Sequence, residues 1–420
     1  MNLRTRLPAL IALGSAALLT ASVTAQPAVA ASEKKPQRSS VALQWYDTTV
    51  ATIAAGGAPP LAQVTNSRTW AISWLAAARA TRHTPYGVDR GDYQEAALAS
   101  AVHTSLTALV PSRAKELDDA LHKTLEAVPD GPAESKGVAA GVRQARLVLA
   151  SREGDGLDPA SVNRPFAVPN AAPGVWQPTP PASAPAIQFG TRLAKPFLLD
   201  SADQYRSPAP PALGSARYRA DLAEVRAYGE QNSKVRTAAQ TETANFWASL
   251  SLTLYNEPLR VAVARSAGSL AQQAKLVALF HVASVDTQIA TSDSKYTYLR
   301  WRPVTAIRTG TINPDPTWTS LSNNPAHPDY PSGHNTYAGS AEVVLTAFSG
   351  FRTAPFQVTS PSAPGVTRTY TAWKQLSRDN LNARVYSGIH TRSADEAGLV
   401  LGKRVAVHTL FNQWRLFGSL

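Results

Sequence analysis

The 420-residue sequence contains no cysteine, so disulfide staples and thiolate metal sites are excluded. This fits an exported protein that relies on its core alone, and 44% hydrophobic content over this length is enough to build one. Long apolar runs are also scarce. Beyond the first thirty residues nothing reaches about 18 uninterrupted apolar residues, so no later segment reads as a membrane span. No Lys/Arg-rich run and no aromatic platform is present. The formal charge of +12 comes from dispersed basic residues that mostly alternate with acids. That pattern argues against a nucleic-acid partner and leaves a small anionic ligand to explain any local basic excess. The chain has no G-x-S-x-G nucleophile elbow, no H-E-x-x-H and no G-x-x-x-x-G-K-[ST], so the chemistries those motifs carry find no support.

What is there begins with MNLRTRLPALIALGSAALLTASVTAQPAVA. Arg4 and Arg6, an apolar middle and Ala28-Val29-Ala30 read as a secretory signal over residues 1–30, of the general export type because the arginines are not adjacent. The mature protein is expected to be soluble and secreted. From residue 40 the text is helical. SSVALQWYDTTVATIAA, SRTWAISWLAAARATRH, YQEAALASAVHTSLTALV, RAKELDDALHKTLEAV and AESKGVAAGVRQARLVLASRE repeat apolar residues every three or four positions, with short punctuated turns between them. These predict an N-terminal helical bundle over residues 31–153. Residues 154–215 hold twelve of the 31 prolines, with Phe166, Trp176, Phe189, Phe197 and Tyr205 among them. Aromatics are uncommon in disordered linkers, so this stretch reads as an extended strap over the helical core. Helices resume over residues 216–420, with RTAAQTETANFWASLSLTLYN read as one helix and PLRVAVARSAGSLAQQAKLVALFHVASVDTQIATSDSKYTYLRW as the next. Two more are expected, from Gly333 and from about Ala394. The expected architecture is all-α: two packed helical bundles with the strap between them.

Three segments of the second half each offer groups that hold an oxyanion. In KYTYLRWRP (295–303), Lys295 and Arg302 are seven apart, two turns of one helix, so both are expected on one face. In HPDYPSGHN (327–335), Ser332 suits an N-cap, and the amides of Gly333 and its neighbours would form an anion-binding helix start. In ARVYSGIHTRSADE, Arg384 and His390 are six apart and would diverge on one helix, but Gly388 offers a break that turns both inward. Three fixed cations, a hydroxyl, helix-terminal amides and two histidines, His334 and His390, make a cage for a multiply charged oxyanion.

The ordered set K-x6-R-P, P-S-G-H and R-x5-H resembles the signature of the vanadium-dependent haloperoxidase and type 2 phosphatidic acid phosphatase superfamily. PGVWQPTPP, PFLL and RSPAPPAL are similar to its soluble bacterial haloperoxidase-like branch. The resemblance implies that Lys295, Arg302, Ser332, Gly333 and Arg384 bind the oxygens of vanadate or phosphate. It implies that His390 bonds vanadium or acts as the phosphate-accepting nucleophile, and that His334 is the acid–base residue. Vanadate is the implied cofactor; hydrogen peroxide and halide, or a phosphate ester, are the implied substrates; a homodimer is the implied assembly. His327 stands where algal bromoperoxidases also have histidine, which points to the halide or substrate pocket. The implied activity is a secreted haloperoxidase. The alternatives are a secreted acid phosphatase with a histidine nucleophile and a non-catalytic oxyanion-binding protein. One departure bears on the choice. The phosphatase pattern has an aspartate four residues after the last histidine, but Ala394 is there and Asp395 lies one further, about 100° around a helix. His390 is therefore expected to lack a carboxylate partner and to take its tautomer from a backbone carbonyl. A metal ligand tolerates that better than a nucleophile does.

Overall fold

The computed structural model describes residues 40–55 and 63–417; the secretory-signal reading of residues 1–30 lies outside them. Among the described residues helices dominate, with a single two-stranded hairpin, so the all-α expectation holds. The first five are α1 (Val41–Ala55), α2 (Gln63–Ala80), α3 (Arg90–Leu109), α4 (Ala114–Leu125) and α5 (Pro132–Ser151). They start and stop close to where periodicity and punctuation place them. Asp89 caps α3 by accepting from the Asp92 amide at 2.9 Å, and Pro132 opens α5 at its first position.

Residues 154–215 carry only short helical turns, α6 (Pro159–Val162) and a 3-10 turn (Phe189–Leu193). A segment so poor in regular structure must find other partners for its backbone. The central helix α10 (Leu270–Tyr298) supplies them. Buried Asp286 accepts from the amides of Phe197, Leu198 and Leu199 at 2.7, 2.8 and 3.1 Å. Asp293 holds Arg192 at 2.7 Å and Arg206 at 2.6 Å. Ser292 Oγ and the Tyr296 hydroxyl donate to the carbonyls of Gln188 and Ile187. Carboxylates spaced seven apart on α10 thus fasten the strap along one face.

The second half contains α7 (Ala216–Gly229), α8 (Ala238–Phe246), α9 (Ser251–Arg265), α10, α11 (Pro303–Thr309), α12 (Gly333–Ser349), α13 (Trp373–Tyr386), α14 (Arg392–Asn412) and the short α15 (Trp414–Phe417). Strands β1 (Phe356–Thr359) and β2 (Thr367–Tyr370) pair antiparallel, Phe356 opposite Tyr370. Three expectations are corrected here. The helix read across residues 236–256 breaks between α8 and α9, where the carbonyls of Trp247 and Ser249 leave the helical ladder for other partners. The helix read from Pro258 starts earlier, with Pro258 inside α9, and ends before Gly268; α10 begins afresh with a Ser269/Gln272 capping box. Helices α11 and α13 were not among those anticipated.

One apolar core runs from α1 through α2, α3, α9, α10 and α12. Along α10, 23 of 29 residues are buried, the signature of a helix surrounded on all sides. Helices α12 and α14 approach closely because small residues line the contact. A Cβ on Gly398 would lie 2.5 Å from the Ser332 carbonyl, and one on Gly402 would strike Thr336. This crossing sets the start of α12 against the start of α14. No helix among the described residues is long and apolar enough to cross a membrane.

Candidate active site

Lys295 and Arg302 do not share a helix. Leu299 takes a left-handed conformation (φ 47°) and closes α10 by donating its amide to Lys295 O at 2.8 Å. Arg302 then sits at the N-cap of α11, with Pro303 at the first helical position. Chain reversal, rather than helical spacing, brings the two cations together. Both are buried. Lys295 Nζ donates to Pro328 O at 2.6 Å and Asp329 O at 3.1 Å, which ties α10 to the HPDYPSGH segment. The Arg302 guanidinium donates through Nε to His327 O (2.8 Å) and through Nη1 to Ile389 O (2.7 Å), and its Nη2 lies 3.0 Å from His327 Nδ1. It therefore clamps the loop before α12 to the loop before α14.

Ser332 occupies the N-cap position of α12, as expected, but its side chain makes no capping bond. Its amide donates to Ala394 O at 2.9 Å and its carbonyl accepts from Thr336 at 3.0 Å. Its hydroxyl instead faces Asn335, whose Nδ2 also reaches Asp395 Oδ1 at 2.7 Å. The end of α12 that carries the positive pole is thus left without a side-chain cap. Gly388 ends α13 with φ 76°; a Cβ there would collide with Gly229 O. Only glycine permits that turn, and it delivers His390 toward Arg302. Arg384 Nη1 donates to Trp247 O at 3.0 Å, while its buried Nε finds no partner.

The expectation that His390 lacks a carboxylate is overturned. Its Nδ1 lies 2.6 Å from Asp329 Oδ1, and the second oxygen of that carboxylate accepts from Thr391 Oγ1 at 2.8 Å. Burial pushes Asp329 up to about 6, opposed by Arg302 and Lys295. Arg302 Nη1 stands 3.3 Å from Nε2 on the other side of the ring and can only donate. The proton therefore rests on Nδ1, and Nε2 presents its lone pair. Asp395, the aspartate nearest the phosphatase pattern, bonds Asn335 instead. Asp329 escaped the sequence reading because it lies in a loop, 61 residues from its partner, where no periodicity links the two. Its only signal was its place inside HPDYPSGHN.

His334 Nε2 lies 3.1 Å from Ser249 O, which fixes the proton there and leaves Nδ1 as the acceptor. Burial lowers the pKa of His334, His327 and His390 well below the usual value, and the neighbouring cations add to the shift. Burial likewise pulls Arg302 and Arg384 down to about 10 and Lys295 well below its ordinary value. His327 is no exposed loop histidine, for it rests on Arg302. Lys295, His327, Gly333, His334 and His390 line a cavity of about 140 Å³. Its far wall comes from Gln63 of α2, Ile187 and Gln188 of the strap, and Leu250. None of these four was anticipated. Arg302, Ser332 and Arg384 are buried beside it and are not among its lining residues.

Residues 275–417 match the family model described as the VCPO second helical-bundle domain. Three bacterial vanadium-enzyme crystal structures share the fold. The first bacterial vanadium-dependent iodoperoxidase is 25% identical with a TM-score of 0.75, covering 88% of this chain and 96% of its own. The apo- and holo-type bacterial vanadium-dependent chloroperoxidases are both 15% identical, with TM-scores of 0.68 and 0.61, covering 87% of this chain and 96% of theirs. At that identity the chloroperoxidases show the fold alone. No curated protein gives a significant match. The chain thus shares the fold of bacterial vanadium haloperoxidases, and its residues 275–417 match that family's second helical-bundle domain.

The oxyanion cofactor that the resemblance implies can be tested against the residues present. Among the described residues no three His, Cys, Asp or Glu side chains cluster as a bare metal cation would need. The donor set is instead cationic. Arg302 and Arg384 depress the charged form of Lys295, and Arg384 that of Arg302, in a buried space where Asp329 and Asp395 partly offset them. Arg384 Nε is an orphaned donor beside them. A Cβ on Gly333 would stand 3.9 Å from Lys295 Cε, on the wall where an oxyanion has to approach both groups. An anion with several oxygens and an affinity for an imidazole lone pair fits this set.

Proposed function

We propose that the protein is a secreted, vanadate-dependent haloperoxidase that converts halide, hydrogen peroxide and a proton into hypohalous acid and water. Lys295, Arg302, Ser332, Gly333 and Arg384 would hold the vanadate oxygens, and His390 Nε2 would bond vanadium. When bound, vanadate supplies the Lewis acidity that polarises peroxide. The protein's part is charge and protons. Two of the three Lys295 donors are occupied by carbonyls, and the third remains for the bound oxyanion. His334, neutral and unprotonated at Nδ1, takes the proton that peroxide loses on binding and returns it to the departing oxygen. His327, held by Arg302 on the cavity wall, faces the incoming halide. Export rests on the charged start, apolar middle and Ala-Val-Ala of the first thirty residues. The subunits are proposed to pair as a homodimer.

The observation that carries the choice of substrate is the cavity. About 140 Å³ lies below the roughly 300–1,000 Å³ of pockets that enclose organic ligands. It admits an oxyanion, peroxide and halide but leaves little room for the alcohol of a phosphate ester. A second reading, a phosphatase, is favoured by one observation: the Asp329–His390 pair leaves Nε2 as a competent nucleophile. The absence of a carboxylate at Ala394 therefore no longer separates the two. A parallel assay does. Halide oxidation is measured with vanadate and peroxide, and ester hydrolysis without vanadate, for the wild type and His334→Ala. The expected result is halide oxidation in the wild type, reduced about 10²–10⁴-fold in the variant. Hydrolysis that vanadate inhibits, with no halide oxidation at any pH, overturns the peroxidase reading.

A further inference from the structure

The outward face of α14 is apolar where a surface helix is ordinarily polar. Its exposed positions are Glu396, Val400, Arg404, Val407 and Phe411, and Trp414 of α15 continues the line. These follow one another at intervals of three and four, a single stripe along the helix. Val400 is 51% exposed, Val407 42%, Phe411 79% and Trp414 68%. The opposite face, with Ala394, Leu401, Val405 and Ala406, is buried in the core, so the stripe cannot be the helix's own packing surface. It is flanked by two recesses that share Tyr205, one of about 360 Å³ beside Val400 and one of about 380 Å³ beside Val407 and Phe411.

We infer that this stripe is where a second copy of the chain docks, antiparallel, with Val407 on the twofold axis. The inference rests on the homodimer reading above and names its surface. The stripe is self-complementary about Val407. Val400 lies seven residues before it and Trp414 seven after, so each Val400 meets the Trp414 of the other copy. Lys403 and Arg404, four and three residues before, meet Phe411, four after. That sets a cation against an exposed aromatic ring and keeps the two Arg404 side chains apart along the axis. Seven-residue spacing at 400, 407 and 414 is the repeat by which two helices stay in contact. The four apolar side chains expose on the order of 450 Å² per copy, about half of what each partner contributes to a standard interface; Tyr205 and the stems of Lys403 and Arg404 adjoin them. The flanking recesses favour a protein partner over a lipid surface, because they offer concave seats for protruding rings.

The chain has no cysteine, so Val407→Cys introduces a sole thiol at the proposed axis. Mild oxidation of the full-length V407C protein should give a covalent dimer. Val400→Cys, which faces Trp414 rather than itself, should not, and V400C combined with W414C should cross-link again. In sedimentation the wild type should be dimeric, and Val407→Arg should weaken association at least about 30-fold with unchanged circular dichroism. A wild type that stays monomeric, including one that floats with anionic vesicles, overturns both the surface and the homodimer. A wild-type dimer that V407C fails to trap and V407R leaves intact overturns the surface alone.

Discussion

Replacing Asp329 with asparagine tests the part of the site on which the two chemistries depend. In the wild type the carboxylate takes the Nδ1 proton of His390 across 2.6 Å, and Arg302 stands at Nε2. Asparagine has nearly the same shape but no charge, and its amide can donate to Nδ1. The ring can then turn its proton to Nε2 and lose the lone pair that faces the cage. Two effects follow with opposite signs. Removing a negative charge beside Lys295 and Arg302 makes the cage more cationic, which strengthens the binding of any oxyanion. Losing the Nε2 lone pair weakens only an anion that bonds to it. Phosphate in its resting complex is held by charge and hydrogen bonds, whereas vanadate is proposed to bond His390. Phosphate affinity should therefore hold or rise, while the preference for vanadate over phosphate falls about 10–100-fold, as for loss of an outer-shell partner of a metal ligand. Titration calorimetry with each anion gives the ratio, and nitrogen NMR of His390 reports which nitrogen carries the proton. Equal changes for both anions, or an unchanged tautomer, would refute the reasoning.

Two further outcomes follow from buried groups away from the cavity. His281 stacks on Trp70 with ring centroids 4.6 Å apart, both ring nitrogens unpaired, and burial drives its pKa down to about 3. The unfolded chain takes up that proton below about 6.5 while the folded chain does not, so stability falls as pH drops below 6.5; at pH 5 the loss is about 2 kcal/mol. His281→Phe should remove this term, so its stability relative to wild type, from urea unfolding, should be about 2 kcal/mol better at pH 5 than at pH 8; an equal difference at both pH values would contradict it. Asp286→Ala would strand the amides of Phe197, Leu198 and Leu199. Unfolding should show a loss of about 2–4 kcal/mol, and hydrogen exchange at those three amides should accelerate, whereas unchanged exchange would mean the strap is held elsewhere.

The helical class, the division of the first five helices and the three segments that converge on the cavity were legible in the sequence. Apolar spacing, proline and glycine act through neighbours a few residues away, and Gly388 is a good example: its left-handed turn is a local demand that a single letter satisfies. The compound pattern from Lys295 to His390 also named the groups that the fold gathers. Other features depended on contacts between distant parts of the chain. The break after α8 has no strong local signal; it exists where Trp247 and Ser249 turn their carbonyls to Arg384 and His334, more than 80 residues on. Lys295 and Arg302 meet because Leu299 reverses the chain, and helical spacing gave the right pair for the wrong reason. The pairing of Asp329 with His390 was hidden for the same cause. A loop carboxylate and a loop imidazole share no period, and only the close crossing of α12 and α14, permitted by Gly398 and Gly402, brings their loops together. Local conformation is written in neighbouring residues, whereas the tautomer of a buried histidine is set by whatever tertiary packing puts beside it.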